Sequence, residues 1–121
     1  GRYYLELLKD NEEYFQLPLN KYGAVENHFW VFGIVLKYKN IREIVMKDLR
    51  QQGVETRPFF WPLHLQPSLP KEFTTMEIFT VSENLGKNGF YLPIGSHVKK
   101  SDQRFIVNCL INSIEKSIKN D

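Results

Sequence analysis

The sequence predicts an α+β domain in which a small, mostly antiparallel sheet is flanked by helices. The run 28–36 is apolar at successive positions, as in a central strand covered on both faces. A helical pattern follows, and it stops at Gly53 before a second extended stretch, which is typical of a strand–helix–strand unit. With 121 residues, 42% of them hydrophobic, the chain has enough apolar surface for one core, so we expect a single domain over 1–121.

Charge and cysteine content exclude several classes of protein. The 16 Lys and Arg residues and the 14 Asp and Glu residues are spread along the chain and leave a formal net charge of +2. No basic patch therefore indicates nucleic acid or an anionic membrane as a partner. The single cysteine, Cys109, cannot form an internal disulfide, and there is no signal-peptide pattern and no apolar run near ~20 residues. We expect a cytoplasmic protein.

The first half of the chain contains two predicted helices. Residues 2–9 have Tyr4, Leu7 and Leu8 at helical spacing but no capping residue before them, so we expect the chain to be part of a longer polypeptide. Residues 11–26 are polar and irregular. After the strand 28–36, Asn40 is predicted to cap a helix with an exposed Glu43 and Lys47 pair. Its predicted core side chains are Ile41, Ile44, Val45, Met46 and Leu49.

Three further elements are predicted in the second half. Residues 76–85 have the pattern of a short helix ended by Gly86, and 90–93 that of a brief strand closed by a proline. Ser101 is predicted to cap the last helix. The apolar side chains of this helix are Phe105, Ile106, Cys109, Leu110 and Ile114.

Segment 55–67 is the predicted functional loop. It joins a cation, an imidazole and three aromatic rings to three prolines, a composition that suits a stiff ligand-facing loop better than a core element. Arg57 offers a planar fork for carboxylate or phosphate, and His64 donates or accepts near neutral pH, so both side chains could point into one cavity. The alternative is a structural salt bridge for Arg57 and a backbone hydrogen bond for His64.

The three aromatic residues of this loop, Phe59, Phe60 and Trp61, are consecutive. Backbone alternation sends them to different sides, so at least one ring should face solvent or an interface. A flat ring beside a cation suits the face of a nucleobase or a sugar. The alternative is that the rings cap the core or fill a domain interface.

Residue types alone name no reaction. His28 and His97 have no second ligand at metal spacing, so we predict no metal site and a surface or structural role for both. Cys109 lies on the apolar side of a predicted helix, where it acts as a small hydrophobe. The common phosphate-loop, dinucleotide, hydrolase and zinc-protease motifs are missing from the sequence. A ligand-contacting module is therefore predicted, with no catalytic residue.

Three sequence blocks carry a resemblance to a known family. They are FWVFGIVL at 29–36, GVETRPFFWPLHLQP at 53–67, and VSENL at 81–85 followed by GFYLP at 89–93. In this order they resemble the C-terminal small domain of the DegT/DnrJ/EryC1/StrS family of pyridoxal-phosphate sugar aminotransferases, which have fold type I. Within that family the blocks are similar to the perosamine synthetase-like group.

The resemblance implies a function for the longer polypeptide. Such an enzyme moves an amino group from glutamate, through pyridoxamine phosphate, to a keto carbon of a nucleotide-linked 4-keto-6-deoxy sugar. The small domain closes one wall of the active site at a homodimer interface. The substrate-binding residues that the resemblance implies are Trp30, Arg57, Phe59, Phe60, Trp61 and His64.

The sequence also departs from the complete family pattern. It lacks the large domain with the Schiff-base lysine, the aspartate that partners the pyridine nitrogen and the phosphate-binding residues. We therefore expect this piece alone to bind no pyridoxal phosphate and to be inactive. The rival hypothesis is a stand-alone binding or regulatory module that has the same fold and no catalysis.

Overall fold

A four-stranded antiparallel sheet lies at the centre of the fold. The computed structural model describes residues 1–70 and 77–119, and the strand order in this sheet is β1-β4-β6-β5. The helices and strands are α1 (Arg2–Leu8), β1 (Phe15–Gln16), β2 (Lys21–Tyr22), β3 (Val25–Glu26), β4 (Phe32–Leu36), α2 (Arg42–Gln51), β5 (Arg57–Pro58), α3 (Thr80–Asn88), β6 (Gly89–Leu92) and α4 (Lys100–Lys119). Short 3-10 turns cover Lys9–Asn11 and Leu63–Leu65. The predicted α+β class is confirmed.

One face of the sheet forms the core. Alternate residues of β4 point to this face, and the register pairs Phe32 with Leu92 and Ile34 with Phe90, all of them buried. Helices α1, α2 and α4 cover it. Their fully buried apolar side chains are Tyr4, Leu8, Val45, Leu49, Leu110 and Ile114. Burial of this apolar surface is the main force that stabilises the domain.

The opposite face of the sheet is directed away from the core formed with α1, α2 and α4, and we call it the open face. It carries Gly33, Tyr91 and Arg57, which the register places side by side across β4, β6 and β5. The predicted strand 28–36 was too long, because the backbone turns at Phe29 (φ 50°) and β4 begins only at Phe32. Within the functional loop, Arg57–Pro58 form the edge strand β5, and the rest of the loop leaves the sheet after it.

Helix α2 differs in detail from its prediction. Asn40 is no cap: it has φ 64°, and the N-cap is Ile41. Ile44 is 56% exposed, because the buried side chains are spaced by four residues and Ile44 lies about 100° away from its neighbour Val45 around the helix. Glu43 pairs with Arg42 at 2.6 Å.

Helix α3 also has different ends from those predicted. Position 76 lies outside the described residues, and the described helix runs from Thr80 to Asn88 and ends at Gly89. Gly86 lies buried inside the helix and does not terminate it. A Cβ at this position would lie 2.6 Å from Cδ of Pro62. A glycine within a helix is explained here by close approach of another chain segment.

Helix α4 and the N-terminal half gave further differences. Phe105, one of the apolar side chains of the predicted helix, is 53% exposed. Helix α4 begins at Lys100, one residue before the predicted cap Ser101. The stretch 11–26, predicted to be irregular, contains β1 and a hairpin of β2 and β3 that turns at Gly23 (φ 59°). Two-residue strands are too short for a period to show in sequence. No described helix is long and apolar enough to cross a membrane.

Candidate functional site

Arg57 is placed on the open face by β5. It lies opposite Tyr91, and its side chain is exposed. The described residues supply neither an ion-pair partner nor a hydrogen-bond acceptor to its guanidinium, so the structural salt bridge considered above is not present among them. A guanidinium fork without an internal partner is available to a ligand anion.

Phe59 holds the beginning of the functional loop against the sheet. Its ring fills the space above two glycines: a Cβ would lie 2.6 Å from the ring at Gly33 and 2.4 Å from it at Gly89. The ring stacks on Tyr91 with a centroid separation of 4.6 Å, and the Phe59 backbone N–H donates to the Gly89 carbonyl at 3.0 Å. Phe59 is therefore packed against the protein on several sides.

Phe60 and Trp61 point away from the core. Phe60 is 79% exposed and meets Tyr91 edge-on at 6.4 Å, which confirms that at least one ring of this run faces solvent. The Trp61 indole N–H donates to the Leu65 carbonyl at 3.2 Å, and the Gln66 amide donates to the Trp61 carbonyl at 3.0 Å. These two hydrogen bonds lie within 61–66, which we call the outer half of the functional loop.

His64 has an acidic partner on α3. Its Nε2 lies 3.3 Å from Oε1 of Glu83, its side chain is only 11% exposed, and its ring packs against Phe79 at 4.7 Å. The hydrogen bond from His64 lowers the pKa of Glu83 despite partial burial, and Lys87 adds to the effect. The alternative of a backbone hydrogen bond for His64 does not hold, because the partner of its ring is the Glu83 carboxylate.

A groove of about 790 Å³ runs beside Arg57, and we call it the Arg57 groove. Among the residues that line it are Trp30, Arg57, Tyr91, His97, Asp102 and Phe105. His64 is not one of them, because its ring is turned toward Glu83. The sequence prediction that Arg57 and His64 share one cavity does not hold for this groove. A second groove, of about 480 Å³, continues from Trp30 and Tyr91 across the open face.

Trp30 borders both grooves because of a local turn. The Asn27 side chain accepts a hydrogen bond from the Phe29 backbone N–H at 2.8 Å, and Phe29 adopts φ 50°. The ring of Phe29 packs in the core against Phe32, with 5.9 Å between the ring centroids, and the side chain of the next residue points outward. Trp30 is 84% exposed as a result.

Sequence reasoning missed five of the residues that form or support this site. His97 was assigned a surface or structural role but lines the Arg57 groove, and Asp102 and Phe105 join it there. Tyr91 and Glu83 stood in the recognised blocks, which was the available signal. The contacts they make join segments far apart in sequence, so spacing alone could not reveal them.

The arrangement supports binding, and the thiol of Cys109 is not part of it. Cys109 is 4% exposed, and burial raises the pKa of its thiol, as expected for a small core hydrophobe. Within 1–70 and 77–119, no three His, Cys, Asp or Glu side chains are grouped to hold a metal ion. A cation beside exposed rings, with a carboxylate and an imidazole nearby, can bind a polar ligand that has an anionic group and a flat face.

Comparison with known proteins places the chain in a family. Residues 1–111 match the model of the DegT/DnrJ/EryC1/StrS aminotransferase family. This match covers most of the chain, and the chain belongs to that family. The resemblance predicted from three sequence blocks is thereby confirmed.

Curated relatives give the same result at the level of sequence. The chain is 29% identical over 94 residues to a protein of Bacillus subtilis described as the putative pyridoxal phosphate-dependent aminotransferase EpsN, covering 76% of this chain and 24% of the relative. It is 30% identical over 76 residues to GDP-perosamine synthase of Caulobacter vibrioides, covering 61% of this chain and 20% of the relative. The chain thus spans between a fifth and a quarter of the length of these two relatives.

Solved structures confirm the fold. The chain superposes on a protein of Streptococcus pneumoniae described as the putative sugar aminotransferase Spr1654, with a TM-score of 0.85 at 14% identity, covering 96% of this chain and 29% of that one. It superposes on PseC of Helicobacter pylori, an aminotransferase of pseudoaminic acid biosynthesis, with a TM-score of 0.79 at 15% identity, covering 95% of this chain and 31% of that one. The small α+β unit is therefore a recurrent part of larger chains.

The described residues do not fit pyridoxal phosphate. Enzymes hold this cofactor through a lysine Schiff base and a partner of the pyridine nitrogen. Every lysine in the described part of the chain is exposed, and Lys87, which borders a groove, has its ammonium 3.5 Å from the Glu83 carboxylate. No step of a reaction is assigned to a lysine of this chain.

Proposed function

We propose that this chain is the C-terminal small domain of a longer, homodimeric, pyridoxal-phosphate-dependent aminotransferase of the cytoplasm. Its open face forms the substrate-side wall of the active site. The substrate is a nucleotide-linked 4-keto-6-deoxy sugar, and glutamate is the amino donor. The similarity to GDP-perosamine synthases supports the substrate class.

One observation carries the proposal: the guanidinium of Arg57 has no partner among the described residues and borders a groove with the exposed ring of Trp30. A sugar nucleotide offers phosphate oxygens, which suit a guanidinium fork, and a base, which stacks on an aromatic face. Asp102 and His97 line the same groove and can accept or donate hydrogen bonds to hydroxyl groups.

In the proposed enzyme, this chain binds and orients the substrate. When bound, the cofactor carries the electron-sink chemistry of amino transfer. The remainder of the polypeptide supplies the lysine and the groups that hold the cofactor. In this chain, Arg57 binds the anionic part of the substrate, and Trp30 and Phe60 exclude water from one side of it.

The first test is the effect of Arg57→Ala in the full-length enzyme. Loss of a charge-assisted contact corresponds to about 1.5–3 kcal/mol, so we expect KM for the sugar nucleotide to rise by a factor on the order of 10 to 100. The free energy of unfolding should change by less than about 0.5 kcal/mol, because the side chain is exposed and unpaired. Steady-state kinetics with a panel of keto-sugar nucleotides, together with urea unfolding, measure both quantities.

Arg50→Ala is the matched control, since Arg50 is an exposed arginine at the far end of α2. It should leave KM unchanged. Equal losses of stability and activity in the Arg57 variant would contradict the binding role. A native polypeptide with a mass of only 14.3 kDa that binds a ligand and transfers no amino group would favour the stand-alone module.

A further inference from the structure

The outer half of the functional loop is attached to α3. The ring of Pro62 lies against Gly86, where an added Cβ would come within 2.6 Å of Pro62 Cδ. Two residues farther along, His64 Nε2 lies 3.3 Å from Glu83 Oε1. In the described part of the chain, this is the one hydrogen bond that joins 60–67 to α3. We call the pair of His64 and Glu83 the loop clasp.

The ionised carboxylate of Glu83 determines which nitrogen of the His64 ring carries a proton in the loop clasp. An ionised carboxylate only accepts hydrogen bonds, so Nε2 of His64 must carry the proton that it donates. Glu83 is 20% exposed and His64 11% exposed, so water competes weakly for either group. Lys87 approaches the other carboxylate oxygen at 3.5 Å and leaves Oε1 to the imidazole.

Phe60 lies between the two attached parts of the loop. On its N-terminal side, the ring of Phe59 packs over Gly33 and Gly89. On its C-terminal side, Pro62 and the loop clasp attach the chain to α3. The ring of Phe60 is nevertheless 79% exposed and meets Tyr91, which lines the Arg57 groove. An exposed ring on a segment held at both ends is preorganised for contact with a ligand.

We propose that Glu83 is a positioning residue for the substrate face: through His64 it holds the loop so that Phe60 stays beside Tyr91. The proposal rests on the proposed function of that face. It assigns His64 to the loop clasp and leaves the substrate contacts to Phe60, Arg57 and Trp30. Release of the clasp adds an ordering step to substrate binding, and the effect falls on KM with little change in kcat.

The test is a set of variants in the full-length enzyme. Glu83→Ala and His64→Ala should each raise KM for the sugar nucleotide about tenfold, the factor that corresponds to roughly 1.4 kcal/mol, with kcat within about twofold of wild type. Their double variant should be no worse than either one, because one interaction is lost in all three. Glu83→Gln keeps an acceptor oxygen and should give an intermediate KM. Lys87→Gln removes the other partner of Glu83 and should leave KM unchanged.

Phe60→Ala distinguishes positioning from general destabilisation. It should raise KM, and adding Glu83→Ala to it should bring little further increase, since Glu83 acts by placing this ring. Full additivity of the two changes, or an unchanged KM in Glu83→Ala with a lower Tm, would overturn the proposal.

The clasp is also measured without turnover. In the 121-residue chain, amide exchange of 60–66 should speed up in Glu83→Ala and stay at the wild-type rate in Lys87→Gln. Equal exchange in all three proteins would refute the clasp. A wild-type enzyme that exchanges slowly at 60–66 but does not turn over sugar nucleotides would instead refute the proposed function.

Discussion

At the scale of single residues, three glycines make room for the functional loop. Gly33 and Gly89 lie under the ring of Phe59, and Gly86 lies under the ring of Pro62. None of the three has a positive φ, so each is needed for space and not for backbone freedom. The loop can approach the sheet and α3 closely only because these positions lack a Cβ.

Gly86→Ala should destabilise the protein by about 1–3 kcal/mol, because the proline ring is rigid and one of the two backbones must move. Higher helix propensity of alanine offsets only about 1 kcal/mol. Urea unfolding followed by circular dichroism measures the difference. Ser82→Ala, at an exposed position of the same helix, serves as the control and should stay within about 0.5 kcal/mol of wild type. A stabilised Gly86→Ala protein would show that Pro62 does not pack there.

At the scale of elements, a polar cluster joins α2 to α4. The hydroxyl of Ser113 donates to the Asp48 carboxylate at 2.5 Å, the Gln52 amide donates to it at 3.0 Å, and the ammonium of Lys116 lies 3.3 Å from it. The Ser113 hydrogen bond lowers the pKa of Asp48, with smaller contributions from Lys116 and Gln52. The ionised carboxylate therefore stabilises the contact between the two helices.

Asp48→Asn should lower the free energy of unfolding by about 1 kcal/mol at pH 7. The difference from wild type should become smaller as the pH is lowered. A carboxylate whose pKa is lower in the folded state stabilises above its unfolded pKa of about 3.9 and loses that contribution as pH falls through the folded value. Urea unfolding at pH 7, 5, 4 and 3 tests the sign. Asp10→Asn, at an exposed position, is the control. A difference that widens toward pH 3 would contradict the assignment.

At the scale of the whole molecule, the open face exposes large apolar side chains. Trp30 is 84% exposed and lines a groove with Tyr91, and Phe60 is 79% exposed and meets the ring of Tyr91. Large exposed apolar side chains on one face are typical of an interaction site. In the proposed enzyme it meets substrate and the remainder of the polypeptide.

The 121-residue chain by itself should self-associate weakly through this face, in an assembly unrelated to the enzyme dimer. Sedimentation velocity should show a mass that rises with concentration, and Trp30→Ser combined with Phe60→Ser should reduce the rise. Ile44→Ser is the control, since Ile44 is 56% exposed on α2 and lies away from the open face. A concentration-independent monomer for the unmodified chain would contradict the expectation.

Local patterns in the sequence were sufficient for the class and the family. The apolar run of β4, the periodicity of α4 and the proline-rich loop all depend on residues close together in the chain, so the α+β class and the functional loop could be predicted. The family followed from the order of three blocks. The sequence did not predict which apolar side chains of a helix are buried, as the exposed Ile44 and Phe105 show. Burial depends on which distant segment packs against each helix.

Only the tertiary structure showed which of the predicted site residues line the Arg57 groove and which contact α3. His64 and Glu83 are 19 positions apart, and their contact exists because the loop folds onto α3. Arg57 and Trp30 meet at one groove because strand pairing and the turn at Phe29 bring them to the same face. The sequence by itself determined which residue types would form the site. Long-range packing determined that His64 pairs with Glu83 and that the guanidinium of Arg57 has no partner among the described residues.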